Sequence, residues 1–78
     1  MNRAILHIRF EDETSGRDLE VPLGITAVQL TELLCQALGR KKEGWRLAVD
    51  GNEVEEAGVV GETAVCEGAS LVLFRSLG

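Results

Sequence analysis

At 78 residues the chain has room for one domain, residues 1–78, which buries only about 60–65% of the surface its unfolded form exposes. A hydrophobic share of 45% beside 27% charged residues excludes a disordered chain. The formal charge of −5, with acids grouped at Glu11-Asp12-Glu13 and at Glu53, Glu55 and Glu56, repels phosphate backbones and argues against nucleic acid as a partner.

In chain order, Ala4 to Phe10 alternates, with Ala4, Leu6, Ile8 and Phe10 on one side and Ile5, His7 and Arg9 on the other, which predicts a strand with one apolar face. A polar turn from Glu11 to Gly16 leads into a second alternating run, Arg17 to Val21, with Leu19 and Val21 on one side, closed where Pro22 removes a ladder donor. Thr26-Ala27-Val28-Gln29 carries the capping-box spacing and predicts a helix start. Ala27, Leu30, Leu33, Leu34, Ala37 and Leu38 share an arc of roughly 140° that would face the core, and Gly39 is placed to end the helix in the left-handed conformation. Val28 and Cys35 fall on the flank of that stripe, so Cys35 is the more accessible thiol by this reading. The basic run Arg40-Lys41-Lys42 then meets the negative end of the helix dipole.

Trp45 to Asp50 predicts a third strand, with Trp45, Leu47 and Val49 opposite Arg46, Ala48 and Asp50. Asp50-Gly51-Asn52 is tight-turn chemistry, and Glu53-Val54-Glu55 can return as a short strand. Residues 56–69 suggest a loop with at most one short helical turn, anchored by Val65. Ser70 to Arg75 contains four consecutive apolar residues and predicts a central strand flanked on both edges.

Chemistry is thinly supplied. One histidine, two cysteines and dispersed carboxylates do not compose a catalytic group, and His7 alternates onto the sheet face away from the helix that carries Cys35. Cys35 and Cys66 are too few and too far apart for a disulfide framework, and His7, Cys35 and Cys66 lie in three different elements, so no metal and no cofactor is expected. No stretch approaches the ~20 apolar residues of a membrane span and no signal-type run opens the chain, so a cytoplasmic protein is expected, reaching a membrane only through a partner.

An amphipathic helix across a small mixed sheet of four to five strands resembles the β-grasp fold of ubiquitin-like proteins, an α+β architecture. Arg46 to Gly51 followed by Val54-Glu55 is similar to ubiquitin's third strand, turn and short fourth strand, and Ser70 to Leu73 is similar to its last strand. The rhythm of Arg17 to Pro22, the helix start at Thr26-Ala27 with Leu30 and Leu33, Trp45-Arg46-Leu47, and Val65 and Gly68 before Leu71 and Leu73 resembles the EsaB/YukD family of small bacterial ubiquitin-like proteins associated with type VII secretion. That resemblance implies a non-enzymatic adaptor or regulatory subunit whose partner is the cytoplasmic part of the secretion apparatus, such as its membrane-anchored ATPase. The alternative is a modifier or sulfur carrier activated at its C-terminal glycine. Such proteins resemble one another in ending with Gly-Gly, whereas this sequence has Leu77-Gly78, so the expectation is that the fold has simply finished there.

What remains is surface. If Leu71 and Leu73 face the helix, Val72 and Phe74 face away, beside Arg46 and Ala48 of the third strand and near Ile5, His7 and Arg9 of the first. His7, Arg46, Ala48, Val72 and Phe74 are therefore the candidate partner-binding residues, on a face that a one-helix sheet leaves open. The same face could pair weakly with a second copy, so the expected state is a monomer or weak homodimer.

Overall fold

The computed structural model describes residues 3–41, 44–62 and 68–75. Five strands and one helix follow the predicted order: β1 (Arg3–Phe10), β2 (Arg17–Pro22), α1 (Ala27–Ala37), β3 (Trp45–Val49), β4 (Asn52–Glu53) and β5 (Ser70–Arg75). The strands form one mixed sheet in the order β2-β1-β5-β3-β4, with β1 and β5 parallel and the other neighbours antiparallel. Strand β5 is thus the central one, as its continuous apolar run requires.

Alternation decides which side of the sheet becomes core. Ala4, Leu6, Ile8 and Phe10 of β1, Val21 of β2, Trp45, Leu47 and Val49 of β3, and Leu71 and Leu73 of β5 are buried together with Ala27, Leu30, Leu34 and Cys35 of α1. Full burial of each larger aliphatic side chain contributes about 1.5–3 kcal/mol, so this single layer between helix and sheet carries most of the stability.

The helix begins where the capping box places it. The Gln29 amide donates to Thr26 Oγ1 at 3.2 Å and the Thr26 amide donates to Gln29 Oε1 at 2.9 Å. It ends with Gly39 at φ +71° and the Arg40 amide donating to the Cys35 carbonyl, a Schellman closure. The buried stripe, however, is rotated from the expected one. Thr31 and Cys35 point inward, whereas Leu33 is 45% exposed and Ala37 lies outside. Thr31 can be buried because its hydroxyl donates to the Ala27 carbonyl at 2.9 Å, which leaves only its methyl to pack.

Cys35 consequently reverses its expected role. It is 1% exposed, and burial pushes its thiol above the ordinary 9.0 while Arg40 pulls weakly the other way. Cys66 and Val65 lie outside the described residues; Val60, in a 3-10 turn at Val60–Glu62, is the buried anchor of the described part of that loop.

Two further features depart from the expectation. Asp50 and Gly51 both take positive φ, +49° and +89°, which makes a two-residue hairpin turn pairing Val49 with Asn52, so β4 starts one residue earlier than expected and ends at Glu53, leaving Val54 and Glu55 outside the strand. Arg40 does more than balance the helix dipole. Its guanidinium holds Asp12 through two hydrogen bonds of 2.8 and 2.9 Å and lies 4.4 Å over the Phe10 ring. Phe10 in turn meets Trp45 edge-on at 4.9 Å, and Trp45 Nε1 donates to the Lys41 carbonyl. One end of the sheet is thereby closed by stacked aromatic and guanidinium groups.

Candidate functional site

The sheet side opposite α1 carries the five candidate residues in adjoining register. Arg46 lies directly across from Phe74 and Ala48 across from Val72, and on the other flank of β5, Arg9 pairs with Val72 and His7 with Ser70. Because paired residues project to the same side, these positions form one continuous surface across three strands. Val72, Phe74, Ala48 and Arg46 are half-buried and His7 is exposed.

Phe74 is thus less exposed than alternation alone implies. Its cross-strand neighbour on that face is a long arginine, which is itself half-buried and held toward β4 by ion pairs with Glu53 and, at 3.7 Å, with Glu56. The most exposed large apolar side chain on this side is Ile5, at 51%. The surface is therefore a half-covered apolar stripe, Val72 and Phe74 with Ala48 beside them, and not a bare aromatic patch.

The charges around the stripe are ordered. Basic side chains and His7 stand on β1 and β3, and acids on the edge strands: Arg3 meets Glu20 at 3.4 Å, the His7 ring Nδ1 lies 3.0 Å from Asp18 Oδ1, and Arg46 meets Glu53. Arg9 instead spends one guanidinium nitrogen on backbone, donating to the Glu13 carbonyl at 2.8 Å and more loosely to those of Phe10 and Glu11. It therefore brings a positive charge beside Val72. Alternation in the sequence points to His7 and Arg46 on this face, but not to Arg3 or to the acidic partners. The signal was present in β2, where Asp18 and Glu20 alternate against Leu19 and Val21; it required the β1–β2 register to be used.

The surroundings hold this face in shape. Gly16 has no room for a side chain, since a Cβ there would come within 2.5 Å of the Ile8 carbonyl oxygen and 2.8 Å of His7 Nε2. At the other end, the Arg75 amide donates to Glu11 Oε2 at 2.6 Å and the Arg75 guanidinium lies 4.8 Å over the Trp45 ring, tying the end of β5 to the β1–β2 turn on one side and to β3 on the other. Residues 76–78, including Leu77 and Gly78, lie outside the described residues.

His7 and Cys35 are not brought together: His7 is on the open side of the sheet and Cys35 is in the core on the other. Among the described residues no group of three His, Cys, Asp or Glu could hold a metal ion, and no helix is long and apolar enough to cross a membrane.

Comparison with known proteins assigns the fold. The chain is similar to the ubiquitin of Caldiarchaeum subterraneum, with a TM-score of 0.78 at 18% identity over 99% of this chain and 98% of that one. It is also similar to a chain from a structure of molecular mimicry of SUMO that promotes DNA repair (TM-score 0.81, 18% identity, 94% of this chain and 91% of that one). A third likeness is to the ubiquitin-like domain of an Arabidopsis thaliana protein (TM-score 0.77, 16% identity, 96% of this chain and 79% of that one). No protein-family model and no curated protein matches the sequence. At these identities the likeness establishes the architecture and leaves activity to the surface.

Proposed function

We propose that this ubiquitin-like domain is a non-enzymatic adaptor that docks to another protein through the open sheet face, with Val72, Phe74 and Ala48 as the apolar contact and His7 and Arg46 as its polar margin. The observation that carries the reading is the register that sets Ala48 beside Val72 and Arg46 beside Phe74 on the side away from α1. An apolar stripe bordered by charges is the composition of a protein contact: an apolar centre with a polar rim. A partner covering it would bury about 600–800 Å² on each side.

The occupant is a different protein and not a second copy. Two chains of charge −5 repel one another, which weighs against stable self-pairing through a stripe this small. The resemblance to the EsaB/YukD family supplies the finer reading: the partner is the cytoplasmic part of a type VII secretion apparatus, with this domain as a regulatory or assembly subunit.

The test is capture of partners by N-terminally tagged wild type and Phe74→Asp from native cells, under native and denaturing conditions. The reading expects secretion-apparatus proteins with wild type only, and only under native conditions. The same proteins bound equally by Phe74→Asp would sink the docking face, and adducts that survive denaturation would favour a covalent modifier instead.

A further inference from the structure

A second surface, at the β3–β4 end of the sheet, has the shape of a receptor. A cleft of about 370 Å³ opens there, lined by Val49, Val54 and Val59 and rimmed by Glu53, Glu55 and Glu62. Its volume is at the lower end of the ~300–1,000 Å³ of ligand clefts, so it suits a side chain more than a large molecule.

The wall is preformed. The segment from Glu56 to Gly61 is pinned to the start of the helix by four backbone hydrogen bonds: Ala27 to the Gly58 carbonyl (2.9 Å), Val28 to Glu56 (3.1 Å), Val60 to Ile25 (2.8 Å) and Gly61 to Leu23 (2.8 Å). Gly61 packs so closely that a Cβ would lie 2.9 Å from the Leu23 carbonyl oxygen. Little ordering remains to be done when a ligand enters.

The rim is not electrically balanced. Arg46 is committed to Glu53, while among the described residues no ion pair holds Glu55 or Glu62. A bare metal ion would find no group of three ligands among the described residues and would leave the valines without contact. An amphipathic cation satisfies both halves of the lining at once.

We propose that this cleft receives one basic side chain, arginine or lysine, from a protein partner: the aliphatic stem lies on the half-buried Val59, above a floor closed by the buried Val49 and Val54, and the charged head meets the Glu55 and Glu62 carboxylates. The site lies beyond β4 from the Val72–Phe74 stripe and stands or falls separately from it.

The test is an NMR titration of the ¹⁵N-labelled chain with N-acetyl-arginine amide, with N-acetyl-citrulline amide as the uncharged molecule of the same shape. Saturable shifts are expected at Val54, Gly58 and Val59, with the citrulline compound about fivefold weaker or more. Glu55→Gln combined with Glu62→Gln should weaken the arginine compound by a similar factor while leaving the rest of the spectrum in place, since both positions are exposed. Phe74→Ala, which adds no charge beside Arg46, should leave this binding intact, which separates the cleft from the docking face. No shifts, equal shifts from the citrulline compound, undiminished binding by the double variant, or shifts as large around Glu11–Glu13 as in the cleft would each overturn the proposal.

Discussion

The two sides of strand β5 differ in what holds them. On one, Leu71 and Leu73 are at most 1% exposed beneath α1; on the other, Val72 and Phe74 are half-covered by neighbours on adjacent strands. The first side is fixed by the hydrophobic effect and tolerates no charge. The second is fixed by register and leaves apolar surface where charge could be accepted. Residues one step apart in sequence should therefore fail in different ways.

The largest contrast is Leu73→Asp against Phe74→Asp. A carboxylate at Leu73 would be buried without a partner at a cost comparable to the whole stability of a domain this size, roughly 4–12 kcal/mol, and circular dichroism should find the chain unfolded. Phe74→Asp should lose about 1–2 kcal/mol in urea unfolding, keep a cooperative transition and lose partner binding. Phe10→Ala falls between them, at about 3–5 kcal/mol, because it removes a fully buried ring together with its contacts to Trp45 and Arg40.

Much of this contrast was legible in the sequence. Period-two alternation at Leu6-His7-Ile8, Leu47-Ala48-Val49 and Leu71-Val72-Leu73 assigned each residue its side, because a strand in a sheet covered on one face has only two choices. The capping box at Thr26 and Gln29 and the glycine stop at Gly39 are chemical signals of the same local kind. The helix stripe was harder. An apolar arc chose Leu33 and Ala37 over Thr31 and Cys35, since hydrophobicity alone cannot register that the Thr31 hydroxyl is satisfied one turn back by Ala27. What depends on distant partners was not legible: the Arg40–Asp12 pair spans 28 residues, and the pinning of residues 56–61 to the helix start, which makes the cleft, has no periodic signature.

Two smaller effects sharpen the comparison. Cys35, on the closed side, should react with a disulfide reagent at mildly alkaline pH far more slowly in the native chain than in urea. Because burial raises its pKa, its contribution to stability is present below the ordinary 9.0 and lost as pH rises through the higher native value. Fast native labelling would contradict the rotated stripe. Asp12 has the opposite sign. The hydrogen bonds from Arg40 hold it below the ordinary 3.8, so its contribution is present above that value and lost as pH falls through the lower native one. Asp12→Asn should therefore flatten the acid limb of a stability–pH profile slightly, and less so in high salt.

The most direct measurement places a photocrosslinking amino acid at Ala48, on the open sheet face, and in a separate chain at Gln36, on the outer side of the helix, and irradiates both in native cells. Docking through the sheet predicts a discrete adduct with a different protein from Ala48 and none from Gln36. An adduct from Gln36 with Ala48 silent, or adducts only between copies of this chain, would contradict it.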